Sequence, residues 1–120
     1  MTEYYSENSR LFVAVDCIVF GLDRGELSLL LAKRRFEPER GKWSLMGGFV
    51  ESHESIDDAA SRVLTELTGL QNVYMDQVGA FGSVDRDPGE RVVSIAYTAL
   101  IDVAKADGDA IADSGACWIP

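Results

Sequence analysis

The spacing of apolar and polar residues changes several times along this chain and marks out its elements. Leu11 to Phe20 is a β-branched and aromatic run broken only by Asp16, and it predicts a strand. Asp23-Arg24-Gly25 has turn chemistry, and Leu27 to Lys33 reads as a returning strand. Both runs are dense in hydrocarbon, as expected of strands covered on two faces. After a charged loop from Phe36 to Lys42, Trp43 to Met46 is expected to be a short strand ending at Gly47-Gly48. Adjacent glycines in that position mark a positive φ or a close backbone approach.

The period then becomes helical. Ile56, Ala59, Ala60, Val63, Leu64 and Leu67 recur every three or four residues and form one apolar stripe between Ile56 and Thr68. Ser55 fits the N-cap, Asp57 and Asp58 sit in the first turn where the helix dipole favours negative charge, and Gly69 fits the C-terminal stop. Two further strands are expected, about Tyr74 to Ser83 and Val92 to Ile101, joined by a charged Pro-Gly hairpin from Asp85 to Arg91. Asp102 to Ser114 reads as an acidic, solvated loop and Ala116 to Ile119 as a last strand. The sum is an α/β (α+β) domain over residues 1–120, a mixed sheet with one helix. One helix leaves a sheet face uncovered, so the chain is expected to be the N-terminal part of a longer protein.

Composition narrows the function classes. A 47% hydrophobic share with 26% charge fits a folded domain rather than a disordered chain. Eleven basic against 20 acidic residues give a net charge of −9, which repels phosphate backbones and makes these residues a poor nucleic-acid surface. Cys17 and Cys117 form no CxxC pair and read as inert thiols of a reducing, cytoplasmic protein. The chain begins without a signal-like segment, and no apolar run approaches the roughly 20 residues needed to cross a bilayer, so no membrane partner is expected.

The segment from Gly47 to Leu70, GGFVESHESIDDAASRVLTELTGL, carries the chemical information. Gly48, Glu54, Arg62, Leu64, Glu66, Gly69 and Leu70 fall on the positions of the Nudix box, and the chain resembles that family over nearly its whole length. The resemblance implies the Nudix fold, a mixed β-sheet sandwich with the box forming a loop and helix, here with the family's C-terminal helix apparently missing. It also implies chemistry: such hydrolases cleave a diphosphate linked to another moiety, using helix carboxylates that hold Mg²⁺ or Mn²⁺.

Two positions depart from that pattern. Val63 follows Arg62 where the family has glutamate, and Leu67 replaces the second of the paired glutamates, which leaves Glu66. A single carboxylate is a weak Mg²⁺ site, since this ion gives up water reluctantly and wants octahedral oxygen. Glu66 is therefore read as a residual metal or ligand contact, catalytic only if the chain is active, or else as a solvated helix residue. Glu54 and Arg62 are read as a pair that holds the loop–helix junction, with Gly48 and Gly69 as structural positions of the box. His53 is a loop residue or, less simply, a base.

Boxes with this replacement resemble those of bacterial regulators that join a Nudix-type domain to a C-terminal winged helix. Within that group the resemblance is closest to sugar-responsive members such as those answering arabinose, while others sense ADP-ribose. It implies a small-molecule effector, homodimers in the full-length protein, DNA contact only through a domain absent here, and no required cofactor. Mg²⁺ or Mn²⁺ enters only if the domain hydrolyses. The candidate ligand-binding residues are Asp16, Arg34, Arg35, Gly47, Gly48, Arg86 and Arg91. Asp16 has an alternative reading as a structural pair with a nearby arginine, because an unpaired carboxylate within an apolar strand is costly. For each arginine the alternative is surface charge, and for Trp43 and Tyr97 base or sugar stacking competes with core packing. Three readings stand: a non-catalytic sensor domain, a working hydrolase of nucleoside diphosphate derivatives such as ADP-ribose, and a scaffold without a small ligand.

Overall fold

A computed structural model describes residues 2–33, 40–84 and 90–120. A short helix α1 (Thr2–Ser6) precedes β1 (Phe12–Asp23), the strand on which the sheet is organised. Asp23 pairs with Glu26 across a two-residue turn, where Arg24 and Gly25 have φ 53 and 82, and β2 (Glu26–Lys33) returns. Two consecutive left-handed residues match the twist that a tight hairpin needs.

The expected strand from Trp43 to Met46 divides. β3 (Trp43–Ser44) pairs with β2, whereas β4 (Met46–Phe49) crosses to β1 and contains both glycines. The glycines therefore do not end a strand; they let β4 lie flat between two occupied faces. After α2 (Ile56–Thr68) come β5 (Asp76–Phe81) and β6 (Val92–Asp102), which pair antiparallel with a register shift between Gln77 and Gly79. β6 runs parallel to β1, a pairing that needs the long crossover containing α2. The segment expected as a solvated loop is instead a 3₁₀ turn at Val103–Lys105 followed by α3 (Gly108–Ser114). Two of its acidic residues are caps: Asp102 accepts from the Ala104 amide and Asp107 from the Ala110 amide, while Ile111 is buried. β7 (Ala116–Ile119) closes the order by pairing with β2, giving a mixed sheet β3-β2-β1-β6-β5 with β4 on β1 and β7 on β2.

The capping of α2 follows the sequence reading. Ser55 accepts from the Asp58 amide, and Gly69 at φ 78 sends its N–H back to the Thr65 carbonyl. The inward face is Ala59, Ala60, Val63, Leu64 and Thr68, all buried. Leu67 is half-buried against this core, and Ile56 is 37% exposed, so the stripe is shifted from the expected one. Thr68 is fully buried because its hydroxyl donates to the Leu64 carbonyl and accepts from the Leu70 amide, satisfying both roles.

Strand parity then sorts the site. Val15, Cys17 and Val19 of β1 are fully buried on the face that α2 packs against, together with Met46, Ile95, Tyr97 and Ala99. The opposite face of β1 carries Phe12, Ala14, Asp16, Ile18, Phe20 and Leu22, of which Phe12 and Leu22 are exposed by about half. The expectation that β1 is covered on both faces is therefore met only on one.

Candidate functional site

The loop from Val50 to Ser55 is held to α2 by one guanidinium. Arg62 Nε and Nη2 donate to both oxygens of Glu54 at 3.0 and 2.7 Å, and Nη2 also donates to the Phe49 carbonyl at 2.8 Å. Glu54 in turn accepts from the Glu51 amide at 3.0 Å. This planar fork ties the end of β4, the loop and the helix into one unit. The Arg62 guanidinium, seconded by the Glu51 amide, holds the Glu54 carboxyl down to about 2, and the carboxylate raises Arg62 in return. The remaining nitrogen, Nη1, lies 3.3 Å from Glu66, whose side chain is 60% exposed. His53 is exposed in the loop, its Nε2 lying 3.4 Å from a Glu51 oxygen.

One residue further round the helix, the surface changes character. Val63 is 2% exposed and presses on β4: a Cβ placed on Gly48 would come within 2.8 Å of Val63 Cγ2. Gly47 faces the other way, and a Cβ there would meet Asp16 Oδ1 at 2.6 Å. The two glycines thus serve opposite faces of the sheet, one admitting a helix methyl group and the other a carboxylate. A hard divalent ion needs several oxygen ligands, and on α2 the positions after Arg62 supply Val63, Glu66 and Leu67, with Glu66 already drawn to Arg62. This donor set does not fit a Mg²⁺ or Mn²⁺ cage. Among the described residues, no group of three His, Cys, Asp or Glu side chains is placed to hold a metal.

The proposed ligand contacts separate in the same way. Asp16 and Gly47 meet on the outer face, in register across β1 and β4, and Asp16 is itself engaged by a neighbour. Gly48 is turned to the helix side. Arg91, the residue before β6, sets its Nη1 beside Val93 and Gly82, and this nitrogen is buried without a hydrogen-bond partner. Arg34, Arg35 and Arg86 lie outside the described residues. Trp43 is 43% exposed beneath the Lys33 ammonium, 5.2 Å from the ring centre, whereas Tyr97 belongs to the core.

Sequence reasoning missed two features. Phe12 and Phe49 form a tilted ring pair, 5.4 Å between centres, beside Asp16 and Gly47 on the outer face. Their parity with Asp16 and Gly47 was the available signal, but it speaks only once β4 is known to pair with β1. The Tyr97 hydroxyl donates to Asp57 at the start of α2 at 2.5 Å, and burial followed by this carboxylate pushes Tyr97 up to about 12. Forty residues separate the pair, so no local pattern announces it. Cys17, also raised to about 12, by burial first and then by Asp16, is an inert thiol behind α2.

The NUDIX domain family model matches residues 10–120. The chain is 38% identical over 92 residues to the ADPR responsive transcriptional repressor NtrR of Acinetobacter baylyi, covering 75% of this chain and 37% of that protein. It is 36% identical over 94 residues to an ADP-ribose pyrophosphatase of Methanocaldococcus jannaschii, covering 78% and 54%. Among solved structures, the NUDIX domain of Shewanella oneidensis NrtR complexed with ADP ribose superposes with a TM-score of 0.77 at 27% identity, covering 99% of this chain and 82% of that one. The chain thus spans about a third to a half of the length of these two curated relatives.

Proposed function

The chain belongs to the NUDIX domain family, and on that premise we propose that it is an effector-binding domain that holds an ADP-ribose-like ligand without cleaving it. One observation carries the reading. The family's junction, Glu54 with Arg62, is intact, while the adjoining position that would face a metal is a buried valine methyl over Gly48. A receptor needs the first for shape and is better served without the second, because an activated water would consume the signal. In this reading no cofactor is required, and neither Mg²⁺ nor Mn²⁺ takes part.

The ligand side is the outer face, where the Asp16 carboxylate beside Gly47 accepts hydroxyl hydrogen bonds of a ribose and the Phe12–Phe49 pair offers an apolar ring surface. Arg34, Arg35 and Arg86 are the cationic candidates for the diphosphate. Arg91, its Nη1 buried without a partner beside Val93 and Gly82, is the weakest of the four. In the whole protein, ligand binding would bias one of two conformations of a cytoplasmic, dimeric regulator whose DNA contacts lie outside these 120 residues. ADP-ribose is favoured over a free pentose because both curated relatives described above are named for it.

A second reading is supported by the pyrophosphatase relative and by the retained Glu66: a hydrolase in which substrate oxygens complete a metal's coordination. Titration calorimetry with ADP-ribose in chelator, followed by chromatography of the same mixture after adding Mn²⁺, separates the two. The sensor reading expects binding without divalent ions and intact ADP-ribose afterwards. Metal-dependent release of AMP, abolished by Glu66→Gln, would overturn it. Binding of arabinose and none of ADP-ribose would transfer the effector to the free sugars.

A further inference from the structure

We propose that the chain carries a second small-ligand site, which takes a short apolar peptide by its two charged ends. The site is the cavity of about 880 Å³ between the segment that follows α2 and the far end of β6, and it shares no residue with the Asp16–Gly47 face. A cleft of this volume suits a ligand larger than a single amino acid. One wall is a strand edge. β1 matches β6 from Phe12↔Val92 to Leu22↔Asp102, but β5 begins only at Asp76↔Thr98, so among the described residues no strand flanks Ala99 to Asp102 on that side. Such an edge accepts an added segment through main-chain hydrogen bonds. The other wall is the loop, where Asn72 has a left-handed φ of 58 and lines the cavity with Gln71. Leu100, 67% exposed, and its register partner Phe20, 38% exposed, supply the apolar surface.

Charge decides what enters and in which direction. Asp76 lines the cavity where β5 stops, and Lys105 lines it beyond the end of β6. The Tyr74 hydroxyl donates to one Asp76 oxygen at 2.8 Å, while among the described residues neither the other oxygen nor the Lys105 ammonium is paired. Opposite charges that share a cavity without meeting leave a place for a dipolar ligand between them. A simple anion would be repelled by the net charge of −9, and a simple cation by Lys105. A zwitterion escapes both. Its ammonium belongs at Asp76 and its carboxylate at Lys105, so the peptide runs parallel to β6, from Thr98 towards Asp102. Ala99, Leu100 and Ile101 span about 10 Å, the length of a tripeptide, and the middle side chain falls beside Leu100.

Titration calorimetry of the 120-residue chain with the peptide Ala-Leu-Ala, joined to amide shifts in isotope-labelled protein, tests this. The expected result is saturable binding with shifts centred on Ala99 to Ile101 and Asn72 to Tyr74. The N-acetyl and C-amide forms of the peptide should each bind about tenfold more weakly, since each loses one charge-assisted contact. The cost of acetylation should vanish in Asp76→Asn and persist in Lys105→Met, and the cost of amidation should do the reverse. The opposite pattern overturns the proposal, as do blocked peptides that bind as well as the free one, or no binding up to millimolar peptide. Edge shifts that follow protein concentration and ignore the peptide overturn it too, in favour of a second copy. If a variant fails to fold, the blocked peptides decide on the unmodified chain.

Discussion

Two neighbouring residues of α2, Arg62 and Val63, point to regions of the molecule that obey different rules. Arg62 reaches along the surface and gathers Glu54, Glu66 and the Phe49 carbonyl, a polar knot that stays wet at its rim. Val63 turns inward and is buried against Gly48 with no polar atom to satisfy. The helix keeps its place with hydrocarbon at 63 and 67, because the knot that positions it draws on Glu54, Glu66 and the Phe49 carbonyl.

The strongest way to break this contrast is to return a carboxylate to the hydrocarbon side. Val63→Glu would bury a charge among Gly48, Met46 and Leu64, and it should destabilise the fold by about 3 kcal/mol or more in chelator. With Leu67→Glu added, Mn²⁺ should recover part of the loss in a thermal melt, a response the unmodified chain is expected to lack. No ion-dependent recovery would mean that the box geometry itself, and not only its side chains, has left the metal-binding form.

A smaller effect is expected from the sheet side of the same contact. Gly48→Val places methyl groups where Val63 already stands and should cost about 2 kcal/mol by overpacking. Val63→Ala in the same chain should cost less than the two changes added together, which a double-mutant cycle from denaturant melts would read directly. Strict additivity would show that the two do not meet.

The polar knot answers to pH instead. Glu54 is held at about 2, below its ordinary value of 4.5, so its stabilising share is complete above pH 4.5 and is lost as pH falls from there towards 2. Glu54→Gln should flatten the stability curve across that window while leaving its form near neutrality, as followed by circular dichroism in acid titrations. An unchanged acid limb would assign the pairing no stabilising role.

Much of this was legible in the order of residues, and the reasons differ by element. The start and stop of α2 are local chemistry, since a serine hydroxyl three residues from an amide and a left-handed glycine act within one turn. The same local rule was overlooked at Asp102 and Asp107, where acidic residues read as solvation proved to be caps for the 3₁₀ turn and α3. The strand at Trp43 was legible, but its division was not. Which neighbour a strand chooses depends on residues far along the chain, and β3 and β4 chose different ones.

What the order of residues determined by itself is the inventory: a helix with hydrocarbon at positions 63 and 67, a carboxylate and an arginine eight apart to clasp its entry, and a glycine pair before it. Side-chain type and short-range spacing suffice for these, because each depends on contacts within a few turns. Tertiary structure alone decided which face each member serves. Alternation along β1 and β4, once brought into register, sent Asp16 and Gly47 outward together and Gly48 inward to Val63. A strand has two faces and a register with period two, so one residue of offset exchanges them, and only the pairing of distant segments sets that offset.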